Sequence, residues 1–188
     1  MPDPPNDWAR AAWRTLTSRA VYANPWIRVR EDVAELPDGR TTLYGVVECA
    51  PAVGVLPFLD AHTVVLVGQW RYVARAFRWE IPTGGVKPGE SEEAAVQREL
   101  AEEAGYTAAR LVKLCAFDTS KSILDETAHL YAAEGLRAVA RAPDDTEFIE
   151  VRAFPFDEVV RMVERSEIVD AMTALAVLHA ARRRRGGV

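Results

Sequence analysis

Cysteine is nearly absent: two in 188 residues are too few for a disulfide framework. Cys49 and Cys115 also lack metal-site spacing, so they read as reduced, buried thiols, the usage of a cytoplasmic protein. The three histidines, His62, His129 and His179, are scattered and unpaired in sequence, and each reads as structural or exposed. No apolar run approaches transmembrane length, which argues against a membrane partner, and the Asp-, Pro- and Trp-containing start is not a secretory signal. Residues 1–12, beginning MPDPPND, read as frayed. Basic residues are in deficit: 23 Lys and Arg face 28 Asp and Glu, a net charge of −5 that argues against a general nucleic-acid binder. There is no internal repeat and no linker. What remains is one compact chain, 49% hydrophobic and large enough for a substantial core.

One stretch stands out against that background, GGVKPGESEEAAVQRELAEEAGY from Gly84 to Tyr106. Gly84, Gly85, Pro88 and Gly89 mark a turn-rich loop. Ser91 is placed to N-cap a helix, Glu92 and Glu93 suit the positive end of its dipole, and Gly105 is placed to stop it. On a regular helix Glu99 and Glu103 are i,i+4 neighbours, with Glu102 beside them. Three like charges so close destabilise a helix unless a cation sits among them. Oxygen-only ligands favour a hard divalent ion, Mg²⁺ or Mn²⁺. Arg98 can pair with Glu102 and orient it. An acidic surface helix is the bland alternative.

The spacing decides between the two. Gly84, Glu90, Arg98-Glu99-Leu100, Glu102-Glu103 and Gly105 resemble the Nudix box of the Nudix hydrolases at every fixed position. At roughly 5–7% usage per residue, the seven of these other than Leu100 match by chance on the order of once in 10⁸ to 10⁹ frames. Tyr106 departs from the family's aliphatic residue, but at a packing position. Outside the box the resemblance is nearest the ADP-ribose pyrophosphatase branch. It is carried by Gln69-Trp70-Arg71-Tyr72, by Trp79-Glu80-Ile81-Pro82 and by Ser122-Ile123-Leu124-Asp125-Glu126. Many members of that branch have a proline about 16 residues past the box; this chain has Ser120-Lys121-Ser122 there.

Along the chain, Arg19 to Tyr22 and Trp26 to Glu35 read as strands, with Ile27, Val29 and Val33 on one face at period 2. Pro37-Asp38-Gly39 reads as a hairpin turn, with Thr41 to Glu48 the return strand. Ala52 to Leu59 and Thr63 to Arg71 read as a strand pair around Asp60-Ala61-His62, the second central because VVLVGQW is a near-continuous apolar run. Phe77 to Ile81 leads to the box. Ala109 to Phe117, Thr127 to Ala133 and Phe148 to Pro155 read as further strands, with Asp118 to Glu126 a polar loop. Asp157 to Glu164, N-capped by Asp157, and Ile168 to Arg183 read as helices. The order predicts an α/β fold, and the resemblance a Nudix-type α/β/α sandwich with a mixed sheet and an N-terminal β extension. Residues 1–50 form a tail and β meander within the same structural unit as the catalytic part, 51–188. The meander is similar to the extension by which the family's ADP-ribose enzymes dimerise, so a homodimer is expected.

The resemblance also implies site roles. Glu99, Glu103 and Glu102 would ligate the metal, joined by the Thr83 carbonyl, with Glu102 and Arg98 part of the catalytic set. Glu90 and Arg98 would brace the substrate-binding loop against the helix. The family's ADP-ribose enzymes place a base on the loop after the box helix, which makes Glu126 the candidate, with Asp125 the fallback. Arg71, at a strand end, suits a phosphate. Trp26 and Trp70 are the aromatics preferred for covering an adenine face. The implied reaction is hydrolysis of a nucleoside diphosphate derivative, ADP-ribose first. A nucleotide sugar such as GDP-mannose and a dinucleoside polyphosphate are the alternatives, and a catalytically silent nucleotide- or RNA-binding module is a distant one. The basic run Arg182 to Arg185 suits a helix C-terminus; contact with an anionic ligand or nucleic acid is its other reading.

Overall fold

The computed structural model describes residues 11–142, 146 and 148–186; most of the expected N-terminal fraying lies outside them. In chain order the elements are β1 (Arg14–Ala23), β2 (Ile27–Glu35), β3 (Thr41–Cys49), β4 (Ala52–Pro57), β5 (Thr63–Arg71), β6 (Ala76–Glu80) and β7 (Thr83–Gly85). Then come α1 (Glu92–Glu99) with a π-helical continuation (Leu100–Ala104), β8 (Tyr106–Asp118), β9 (Leu124–Asp125), β10 (Thr127–Ala138), β11 (Glu150–Pro155), α2 (Phe156–Glu164) and α3 (Ala171–Gly186). The chain divides into two compact units, one of Met1–Ala50 with Ser120–Glu126, the other of Pro51–Thr119 with Thr127–Val188.

The first unit is a four-stranded sheet in the order β1-β2-β3-β9, antiparallel except for β9, which runs parallel to β3. Gly39 turns the β2–β3 hairpin in the left-handed region, φ 81°, as the Pro-Asp-Gly triplet predicts. Cross-strand ion pairs fix the register: Arg14 faces Glu35 at 2.6 Å, Arg19 faces Glu31 at 2.9 Å, and Arg28 pairs with Glu48. Such pairs contribute roughly 0.2–1 kcal/mol each. The face of Ile27, Val29 and Val33 is only half covered within this chain, whereas Asp32 and Ala34 on the alternate face are buried. Arg30 holds Asp32 at 2.6 Å. β1 is an edge strand exposed along its whole length.

The second unit contains a mixed sheet in the order β7-β4-β10-β8, with β4 parallel to β10, and an antiparallel sheet β11-β5-β6. β5 is central, as its apolar run predicts. The expected pairing of β4 with β5 is not found. After a single bridge between Phe58 and Val64, the two strands part into different sheets. Both strands are buried on both faces, and their alternation sorts two cores. Val53, Val55, Val65, Val67, Tyr131 and Ala133 pack with Ala95, Val96, Leu100 and Ala104 of the box helix. Leu56, Phe58, Leu66, Leu130 and Ala132 pack with Phe156 and Val159 of α2 and Ala176, Val177 and Ala180 of α3. Each fully buried Leu or Val contributes about 1.5–3 kcal/mol. Strands thus lie between the box helix on one side and α2 and α3 on the other, the α/β/α arrangement the sequence implies.

Three local expectations need correction. Asp157 does not cap α2. The helix begins one residue earlier because the Phe156 ring is buried in the core and its amide donates to the His62 carbonyl at 2.7 Å. α3 begins at Ala171, after Asp170 takes the Thr173 amide at 2.8 Å, while Ile168 is spent in the core before it. The two cysteines are free, as expected, but only half-buried. No helix among the described residues is long and apolar enough to cross a membrane.

Candidate active site

β6 ends at Glu80, Ile81 and Pro82 turn the chain, and β7 lays Thr83–Gly85 antiparallel on β4, with Thr83 opposite Gly54. The Ile81 amide is held by the Thr173 hydroxyl at 3.0 Å, which in turn donates to Asp170 at 2.6 Å. α3 therefore pins the strand end that enters the box. The loop then climbs to α1, whose Ser91 hydroxyl accepts the Ala94 amide at 3.2 Å as an N-cap. Gly105 closes the helix with φ 77°.

The helix is not uniform. Leu100–Ala104 is a π turn, with the Gly105 amide reaching back to the Leu100 and Ala101 carbonyls. Glu102 and Glu103 ride on this widened turn, which still leaves Glu102 within reach of Arg98 four residues before it, at 3.1 Å. Such turns are rare and recur at functional sites. Here Leu100, Glu103 and Ala104 are all buried.

Arg98 is the hub. Its Nε and Nη2 donate to the two Glu90 oxygens at 2.9 and 3.0 Å. Nη1 donates to Glu99 at 2.5 Å and to Glu102 at 3.1 Å, and Nη2 also reaches the Gly85 carbonyl at 2.9 Å. One guanidinium thus ties loop, strand and both helical segments together. The Arg98 hydrogen bonds, helped by the Lys87 amide at 3.0 Å, pull the Glu90 carboxyl down to about 2. In return the Glu90 hydrogen bond, followed by Glu99 and Glu102, outweighs burial and raises Arg98 above the usual arginine range.

Glu99 lies where only glycine leaves room. A Cβ at Gly84 would stand 1.9 Å from its Oε1. Glu103 is 2% exposed and accepts the Thr83 amide at 3.0 Å. Among the described residues no three His, Cys, Asp or Glu side chains are already grouped at metal-ligating distance. Glu99 and Glu102 converge instead on a guanidinium nitrogen, while Glu103 is turned to the backbone. Two carboxylates that grip a cation, with a third on the same turn, form an all-oxygen donor set that fits a hard divalent ion.

Arg71 sits at the end of β5 with its Nε and Nη2 on one oxygen of Glu80, at 2.9 and 2.5 Å. Burial works against its charge, but Glu80, then Glu103 and Asp170, outweigh it and raise the pKa. Arg71 therefore stands in the field of a box glutamate. Glu80 was missed as a site residue; its signal was a lone carboxylate on a strand running into the box. Trp70, on the same strand, is 63% exposed. Trp26, 78% exposed, and Glu126 belong to the first unit. Tyr106 packs against the core, as its place in the box predicts.

Two family models match the chain. A NUDIX domain matches residues 49–173, and a nucleoside diphosphate sugar hydrolase N-terminal domain matches residues 13–47. The ADP-ribose pyrophosphatase of Bacillus subtilis is 34% identical over 166 residues, 87% of this chain and 90% of that protein. A protein of Bacillus methanolicus named methanol dehydrogenase activator is 31% identical over the same shares. A crystal structure described as an ADP compounds hydrolase superposes with a TM-score of 0.81 at 22% identity, covering 95% of this chain and 98% of the other, a likeness of fold.

Proposed function

The chain belongs to the Nudix family and is a Nudix hydrolase, and from that premise we propose that it cleaves the pyrophosphate of ADP-ribose to AMP and ribose 5-phosphate. Water adds across the P–O–P bond: its oxygen joins one phosphorus, and the other phosphate leaves with the bridging oxygen. The observation that carries the reading is the box itself, with Glu99 seated on Gly84 and bridged to Glu102 through Arg98, and Glu103 fixed by the Thr83 amide. The name of the Bacillus subtilis relative supports the substrate.

In this reading Glu99, Glu102 and Glu103, with the Thr83 carbonyl, hold a divalent cation, Mg²⁺ or Mn²⁺. Such an ion supplies charge neutralisation of the pyrophosphate and activation of water. Arg98, braced by Glu90, sets the directions of Glu99 and Glu102. Arg71 receives a phosphate as a planar multi-donor cation held in place by Glu80. Trp70 offers a free indole face to adenine, and Trp26 of the first unit is the other candidate. Glu126 is proposed as the base on the sequence resemblance alone. The exposed edge strand β1, the half-covered Ile27, Val29 and Val33, and exposed Trp13, Leu16, Val21 and Tyr22 support a homodimer built on the first unit.

The second reading is a nucleotide-sugar hydrolase, favoured by the family model over residues 13–47. Hydrolysis of a panel of ADP-ribose, GDP-mannose and a dinucleoside polyphosphate with Mg²⁺, with products identified, separates them. Faster turnover of GDP-mannose than of ADP-ribose sinks the first reading and leaves the reaction class.

A further inference from the structure

The last turn of α3 carries two arginines that are held rather than loose. Arg184 Nη1 donates to the Ala61 carbonyl at 2.5 Å, and its guanidinium lies over the rings of Phe58 and Phe156, 4.1 and 4.8 Å from their centroids. Arg183 Nη1 donates to the Lys113 carbonyl at 3.0 Å. Among the described residues neither has a carboxylate partner. Their neighbour Arg110 does: Glu134 accepts it at 2.5 Å. A guanidinium has five N–H donors, so Arg183 and Arg184 keep several to offer. Attraction to the helix C-terminus accounts for basic residues in this turn. It does not account for two of them being fastened by backbone carbonyls of other elements.

Between them opens a cleft of about 260 Å³. Its floor is apolar, made by Val112, Leu114, Ala132 and Ala180, and the Arg110–Glu134 pair also lines it, the Glu134 charge offset by Arg110. These residues belong to the core shared with α2 and α3, on the opposite side of the strands from the box helix. The cleft is therefore separate from the candidate active site. Pockets for drug-sized molecules run from about 300 to 1,000 Å³, so this one suits an acidic head and a single ring or short chain, not a dinucleotide. Two fixed guanidinium groups select a planar or tetrahedral oxyanion, which they hold by paired N–H bonds.

We propose that this cleft binds a compact organic oxyanion, with a phosphate-ester or carboxylate head between Arg183 and Arg184 and an apolar body on the floor beneath. The test is NMR titration of the full chain, following the methyl signals of Val112, Leu114, Ala132 and Ala180, with four probes. Phenyl phosphate or benzoate should give saturable shifts at these methyls, and the stronger of the two identifies the head group. Benzyl alcohol and inorganic phosphate should each bind at least about tenfold more weakly, about 1.4 kcal/mol. Arg183→Gln should weaken the stronger aryl anion about tenfold with an unchanged melting temperature. Arg182→Gln, next to it but outside the cleft, should not. The proposal is overturned by any of three results: no saturable shift with either aryl anion, equal binding of benzyl alcohol or inorganic phosphate, or equal loss in the two arginine variants.

Discussion

Removing Arg98 should damage the fold as well as the chemistry. Arg98→Ala deletes five hydrogen bonds, four of them to the carboxylates of Glu90, Glu99 and Glu102. Charge-assisted bonds contribute about 1.5–3 kcal/mol each. Removing one partner of a fully buried pair costs about 3–5 kcal/mol. Here Glu102 is a third exposed and rehydrates, so the sum is well below four independent bonds. We expect a net loss of about 2–4 kcal/mol. For a chain of this length each kcal/mol moves the melting temperature by about 2–4 °C, so the fall should be about 5–15 °C. Arg98→Lys keeps one charge but loses the fork, and should fall between. Thermal unfolding followed by circular dichroism at pH 7 measures it. Hydrolysis should also drop about 10–100-fold, because Glu99 and Glu102 lose their orientation. A melting temperature within about 2 °C of wild type would refute the hub.

The other predictions are more local. Gly84→Ala places a methyl against the Glu99 carboxylate and should abolish most activity with a smaller fall in melting temperature than Arg98→Ala, whereas normal turnover would mean that Glu99 is not used where it lies. The Glu90 carboxyl is depressed from its ordinary 4.5 to about 2, so its contribution is complete above about pH 4.5 and is lost as pH falls toward 2. The ceiling is about 3 kcal/mol, and solvent screening brings it to about 1–2 kcal/mol. Acid unfolding of Glu90→Gln should accordingly begin from a lower stability and show a shallower slope across that range; parallel curves would count against the pairing. Glu126→Gln should lower kcat more than it alters KM, and an unchanged kcat removes it as the base. Light scattering should report a dimer at micromolar concentration, and a monomer there contradicts the role proposed for the first unit.

What the sequence showed was whatever is written locally. The box could be read because Gly84, Glu90, Arg98, Glu99, Glu102, Glu103 and Gly105 act on one another across a loop and a single helix. The Ser91 cap, the Gly39 turn and the central place of β5 are local for the same reason. The errors lie where distant partners decide. A three-residue link around Asp60-Ala61-His62 looks like a hairpin, but β4 finds β10 in parallel and β5 finds β11, both from far along the chain. The start of α2 is set by the His62 carbonyl, which no local capping rule anticipates. A π turn leaves no periodicity of its own in five residues, so nothing in the sequence marks Leu100–Ala104 as one. Arg71 can be singled out from its place at a strand end, but its partner Glu80 is visible only once β5 and β6 are laid side by side. Arg184 could be read as a helix-end charge, not as a cation lying on Phe58 and Phe156.

The central claim is that the box carboxylates support cleavage of ADP-ribose with a divalent cation. The most direct measurement is turnover of ADP-ribose by wild type and by Glu103→Gln, with and without Mg²⁺ or Mn²⁺ and with products identified by mass. Glu103 is buried against the Thr83 amide, and the substitution keeps its shape while removing one charge. The account predicts AMP and ribose 5-phosphate from wild type only when the metal is present, and a fall of orders of magnitude in a folded Glu103→Gln. Near-normal turnover in that variant, or metal-independent turnover in wild type, would contradict it.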